Sequence, residues 1–73
     1  MNKDEFINEI KELLELNSEN LDFGTRIDLD SLAILSIIAF LDDKFQRKSS
    51  ASELVKVSTI GDIAVIAGME NID

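Results

Sequence analysis

The sequence contains no cysteine and no histidine. This absence excludes thiolate catalysis, imidazole catalysis and zinc sites of the usual kind. It also excludes disulfide bonds, so the hydrophobic core alone must hold the fold. A chain without cysteine is compatible with a reducing compartment, and we expect a cytoplasmic location.

Basic residues are scarce, with 7 Lys and Arg against 15 Asp and Glu, which gives a net charge of −8. Nucleic acid is therefore a poor partner, because binding its phosphates requires Lys and Arg. A basic protein surface is a better one, since opposite charges speed encounter. Long apolar runs are also missing: the longest, among them Ile37 to Leu41, are too short to span a bilayer. Because Asn2 to Glu5 is polar and charged, we expect no signal peptide.

Only 73 residues are present, of which 45% are hydrophobic. This predicts one small globular domain over residues 1–73, expected to be monomeric and without a deep catalytic cleft, catalytic residues or a metal site. Helical spacing of apolar residues and capping patterns predict an all-α fold. The expected helices run from about Lys3 to Leu16, from Ser31 to about Gln46, over Ala51–Lys56, and from near Ser58 or Thr59 to Gly68.

The sequence also predicts the structure of the long loop after the first helix and of the carboxyl-terminal tail. Asn17 to Asp30 is predicted to be a long loop anchored to the core by Leu21, Phe23, Ile27 and Leu29. Gly24 is expected to provide a sharp bend with unusual backbone angles, and the tail from Met69 to Asp73 is expected to be frayed.

The second helix is apolar on more than one side, which is typical of a helix that is buried or faces a partner. Its predicted core face consists of Ile34, Ile37, Ile38, Leu41 and Phe45. The opposite face carries Leu32, Ser36, Ala39 and Asp43. Towards the flanks lie Ala33, Leu35 and Phe40.

Three sequence blocks occur together at fitting positions. They are Leu29-Asp30-Ser31-Leu32 at the start of the second helix, Leu41-Asp42-Asp43-Lys44-Phe45 near its end, and Ser58-Thr59-Ile60-Gly61-Asp62 at the last helix. Over nearly the whole chain this arrangement resembles the acyl carrier protein family. The resemblance implies a small four-helix bundle of acyl-carrier type, with three long helices, one short helix and a long loop between the first and second.

The resemblance also implies a function centred on Ser31. This serine would carry a covalent 4′-phosphopantetheine arm derived from coenzyme A, with Asp30 and Leu32 beside it, and the arm would hold an acyl intermediate as a thioester. The chain would then be a carrier and not an enzyme. Its partners would be a phosphopantetheinyl transferase, a loading enzyme and downstream synthases or transferases of fatty-acid, polyketide-like or other specialised biosynthesis.

One departure from the family pattern shapes the expected docking surface. Fatty-acid carriers usually have acidic residues along the second helix, where this chain has Ala33 and Ser36. We therefore predict a specialised carrier that docks its partners more by apolar contact than by salt bridges. The docking residues expected are Leu32, Leu35, Ala39, Phe40, Asp42 and Asp43.

The predicted core has two interpretations: a plain packed core, or a space that opens to shield an acyl chain and is lined by Ile34, Ile38, Leu41 and Ile63.

Two alternatives to the function also stay open. One is an aminoacyl carrier of the peptidyl or D-alanyl type, although the glycines usual before Asp-Ser in peptidyl carriers are replaced here by Asp28-Leu29. The other is an unmodified helical interaction domain in which Ser31 merely helps to cap a helix.

Overall fold

A computed structural model describes all residues, 1–73, and consists of helices with no strand. The helices are α1 (Lys3–Leu13), α2 (Ser31–Phe45), α3 (Ala51–Leu54) and α4 (Ile60–Ala67), followed by a short 3-10 helix at Met69–Asn71. This confirms the predicted all-α fold of four helices with a long loop after the first. None of these helices is long and apolar enough to cross a membrane.

Three of the four helices begin with a reciprocal capping box. Asn2, Ser50 and Thr59 each accept a hydrogen bond from the backbone N–H three residues later, and a carboxylate at that position returns a bond to the cap. Such reciprocal capping boxes satisfy two backbone donors that the helix itself leaves unpaired. The predicted start of α1 and of α4 is therefore confirmed.

The first helix is shorter than predicted, because it ends at Leu13 instead of Leu16. Glu15 adopts a left-handed conformation with φ 54°. Two backbone bonds close the turn: Leu16 N donates to Lys11 O at 2.9 Å, and Glu15 N donates to Glu12 O at 3.3 Å. This is a Schellman ending, which usually has glycine at the left-handed position. The turn folds Leu16 back against the core.

The core consists of 13 buried apolar residues drawn from every helix and from the loop, with no buried polar side chain. Phe6 of α1 lies at its centre, fully buried, with its ring about 6 Å from those of Phe23, Phe40 and Phe45. Phe40 is only 6% exposed, so its predicted position on a flank facing a partner is wrong. Helix α1 packs against that flank and makes the buried face of α2 wider than the spacing of apolar residues suggests.

The long loop between α1 and α2 is anchored as predicted. Ile27 is buried, while Leu21, Phe23 and Leu29 are half-buried against the core. The loop turns at Phe23-Gly24, but Gly24 does not have a positive φ, so the predicted unusual backbone angles are wrong. The turn is instead held by Asp22, whose carboxylate accepts a hydrogen bond from Gly24 N at 2.8 Å.

The carboxyl-terminal segment is ordered against the rest of the domain, which corrects the prediction that it is frayed. Ile72 is buried, and Asp73 pairs with the other end of the chain. Asp73 N donates to Met1 O and Lys3 N donates to Asp73 O, both at 3.0 Å. A buried side chain and these two bonds offset the loss of chain freedom that frays a free terminus.

Candidate functional site

Ser31 is the first residue of α2 and is exposed to solvent. Its hydroxyl makes no hydrogen bond within the chain, and the backbone N–H groups of Ser31 and Leu32 have no acceptor in the chain. A hydroxyl placed here is accessible to another enzyme. A phosphate attached to it would lie at a helix N-terminus, where free N–H groups and the helix dipole favour negative charge.

Asp30 holds this helix start in place. Its Oδ1 atom accepts a hydrogen bond from Ala33 N at 2.8 Å, and its backbone is extended, with φ −86° and ψ −179°. These are the features of an N-cap residue. Capping is thus carried out by Asp30, which leaves the hydroxyl of Ser31 free.

The start of α4 fixes the loop that leads to Ser31. Ile27 N donates to Ser58 O at 2.9 Å, Ile60 N donates to Thr25 O at 3.1 Å, and Gly61 N donates to Phe23 O at 2.8 Å. These bonds join two segments more than 30 positions apart in the sequence. The part of the loop that precedes Ser31 is therefore bound to the start of α4.

Asp62 organises the same region. Its Oδ2 atom accepts hydrogen bonds from Ser58 N at 2.9 Å, from the Ser58 hydroxyl and from Thr59 N, both at 3.1 Å. The backbone N–H of Ser58, followed by that of Thr59, lowers the pKa of the Asp62 carboxyl below its usual value. The ionised carboxylate is therefore the form that stabilises the beginning of α4.

The exposed side of α2 carries most of the predicted docking residues. Leu32 is 76% exposed and Leu35 is 63% exposed, and Ala39, Asp42 and Asp43 also face solvent. Val55 and Val65 are similarly exposed elsewhere, so what distinguishes Leu32 and Leu35 is that they lie three positions apart on one helix, next to Ser31. Phe40 does not belong to this surface, because it is part of the core.

The four predicted acyl-lining residues lie in the core between α2 and α4. Ile34, Leu41 and Ile63 are buried, Ile38 is half-buried, and no cavity opens among them. The structure thus shows the packed form of the core, and a role for these residues in lining an acyl chain stays a prediction.

A surface groove next to Ser31 was not anticipated from the sequence. It has a volume of about 310 Å³ and lies between the end of α1 and the beginning of α2. Its walls include residues on both sides of the serine, Asp30 and Leu32, and the leucines at the end of α1. Leu13 and Leu14 are both half-buried and border the groove.

Comparison with known proteins gives a relative that spans most of the chain. An acyl carrier protein of Lactobacillus acidophilus is 31% identical to the chain over 70 residues, which cover 85% of this chain and 88% of the relative. No protein-family model matches the sequence, and no solved structure matches it. A small helical bundle with an exposed serine at a capped helix start is the arrangement expected of a carrier domain. With this relative spanning most of both chains, the protein belongs to the acyl carrier protein family.

Proposed function

We propose that the protein is a discrete acyl carrier in which Ser31 is the attachment site for a 4′-phosphopantetheine arm. The observation that carries the proposal is the position of Ser31, exposed at a capped helix start with a hydroxyl that makes no bond in the chain. When attached, the arm supplies a thiol that holds an acyl group as a thioester. The protein supplies tethering, which raises the effective concentration of the cargo at each enzyme.

The residues around Ser31 fit such a group. The free N–H groups at the start of α2 suit its phosphate, and Asp30 fixes the helix start against which a transferase must bind. We propose that the carrier works in the cytoplasm with a phosphopantetheinyl transferase, a loading enzyme and separate downstream enzymes. Its family membership supports a carrier role over catalysis.

The proposal is tested by modification of the pure protein. We expect incubation with coenzyme A and a broad-specificity phosphopantetheinyl transferase to add the mass of one phosphopantetheine. The Ser31→Ala variant should gain nothing, whereas Ser36→Ala, which removes another hydroxyl of the same helix, should be modified as the wild type is. Absence of a mass gain, while a known carrier is modified in parallel, would support an unmodified interaction domain instead. An aminoacyl carrier would show the same gain and is distinguished by the loading enzyme that accepts it.

We further propose that this carrier is specialised and docks its partners mainly by apolar contact. The support is the exposure of Leu32 and Leu35, together with Ala33 and Ser36 at positions where fatty-acid carriers are usually acidic. Contacts between exposed charges weaken as salt screens them, whereas apolar contacts do not. The KM of the transferase for the unmodified protein should therefore change little as salt rises.

A matched pair of variants tests the same surface directly. Leu35→Glu places a charge on the docking face, and Val55→Glu makes a comparable change directly after α3 at a side chain of similar exposure, 65%. We expect Leu35→Glu to raise the KM of the transferase and Val55→Glu to leave it unchanged. Equal effects of the two changes, or a KM that rises steeply with salt, would contradict apolar docking.

A further inference from the structure

The part of the loop directly before Ser31, residues 25–30, is an extended segment. Burial alternates along it: Thr25, Ile27 and Leu29 are buried or half-buried, whereas Arg26, Asp28 and Asp30 are exposed. A period of two is that of a β-strand. An isolated antiparallel bridge between Arg26 and Thr59 joins this segment to the residues that open α4. One edge of the extended segment is therefore paired.

The opposite edge of the extended segment has no partner in the chain. The bridge uses the carbonyl of Thr25 and the N–H of Ile27, which bond to residues 60 and 58 at 3.1 and 2.9 Å. In a strand, the backbone groups of successive residues point to opposite edges. The N–H and C=O groups of Arg26 and Asp28 therefore point away from α4. None of these four groups makes a hydrogen bond within the chain.

Open space lies beside this free edge. The groove of about 310 Å³ between α1 and α2 is lined by Asp28 and Asp30 but by no residue of α4, so it lies on the side of the extended segment that α4 leaves uncovered. Leucines at the end of α1 form its far wall. A second strand placed along the free edge would therefore meet backbone donors and acceptors on one side and apolar side chains on the other.

The charges beside the free edge indicate what such a strand should carry. The groove is lined by the carboxylates of Glu15, Asp28 and Asp30 and by no basic side chain. None of the three carboxylates forms an ion pair within the chain. Opposite charges on facing residues stabilise a pair of strands, and like charges destabilise it. With Arg26 as the only basic residue of the extended segment, the charge balance favours an incoming segment with Lys or Arg.

We propose that the free edge of residues 25–30 is a docking site for an extended, basic segment of a partner protein, which adds to it as an antiparallel strand. Strand addition at an exposed edge is a general mode of peptide recognition, in which main-chain bonds provide affinity and alternate side chains provide specificity. The antiparallel direction is favoured because such pairs are slightly more stable per residue than parallel ones. The inference goes beyond the carrier function and holds whether or not Ser31 is modified.

Two peptides of alternating valine and lysine that differ only in the position of N-methyl groups test the pairing. In an antiparallel pair, residues that face each other carry their side chains on the same face. The peptide residues that bond to Arg26 and Asp28 are then the lysines, and the valines turn their N–H groups away. We expect N-methylation of the lysines to abolish binding and N-methylation of the valines to preserve it. Equal binding of the two peptides would overturn the inference, because only a backbone-paired strand distinguishes its two edges.

Binding is measured by amide hydrogen exchange of the isotope-labelled full chain, followed by NMR. Exchange at Arg26 and Asp28 should slow in proportion to the bound fraction, while Ile27, already bonded within the chain, should not change. A peptide with glutamate in place of lysine should bind severalfold more weakly. Unchanged exchange at both amides with millimolar peptide would refute strand addition. Exchange that slows as the concentration of the protein alone is raised would also refute it, since a second copy would then occupy the edge.

Discussion

The cap of α2 gives the sharpest prediction, because Asp30 combines a structural role with a proposed functional one. Its Oδ1 atom accepts from Ala33 N at 2.8 Å, and Asp30→Ala removes this bond. Loss of an N-cap costs about 1 kcal/mol, within a range of roughly 0.5–2. A domain of this size is stable by only about 4–11 kcal/mol, so urea unfolding should detect the change. The melting temperature should fall by about 4–8 °C.

Asp30→Asn separates the hydrogen bond from the charge. Asparagine caps helices as well as aspartate does, so the acceptor for Ala33 N is retained. Only the interaction of a negative charge with the helix dipole is lost, which at an exposed position is worth about 0.3–1 kcal/mol. We therefore expect the asparagine variant to unfold at a urea concentration between those of the wild type and the alanine variant. If both variants lose the same stability, the hydrogen bond is not what Asp30 contributes.

Modification kinetics then test the functional role. If the carboxylate of Asp30 engages the metal or basic groups of the transferase, as the family resemblance implies, Asp30→Asn should be folded yet slow to accept the arm. The control is Asp28→Asn, which removes one exposed charge two residues earlier without removing a helix cap. Modification of Asp30→Asn at the rate of the wild type would refute a role for the charge and leave Asp30 as a cap alone.

Two further predictions concern the start of α4. A Cβ atom at Gly61 would lie 2.8 Å from Phe23 O, so Gly61→Ala should destabilise the fold by about 1–3 kcal/mol in chemical unfolding. Gly24→Ala, whose Cβ meets a side-chain atom at 3.3 Å, should be close to neutral. Because the folded pKa of Asp62 is lowered, the stability it provides is present above the unfolded pKa and is lost as pH falls through the folded value. The urea midpoint of the wild type should therefore fall more than that of Asp62→Asn below about pH 4, and equal pH profiles would contradict this role.

The sequence predicts best those elements whose signals are local. The starts of α1 and α4 are indicated by the pairs Asn2–Glu5 and Thr59–Asp62. The hydrogen bonds of a capping box join residues only three apart, so the sequence alone shows them. Ser31 stands out because its short segment resembles the attachment motif of the family, and the cap before it, Asp30, is likewise a local signal. Features decided by contact between distant segments were missed. Phe40 is buried because α1 covers a flank of α2, and the tail is ordered because Ile72 and Asp73 meet the amino-terminal segment.

Ala33 and Ser36, two residues that depart from the family pattern, also line the groove between α1 and α2. Ala33 and Ser36 stand out in the sequence only because acidic residues are expected there, which bears on docking. In the structure the same two small side chains border the groove beside Ser31, opposite the leucines that end α1. No spacing rule brings these positions together, because the intervening loop is positioned by α4. The two positions therefore bear on the proposed docking surface, which the salt dependence of the transferase KM tests.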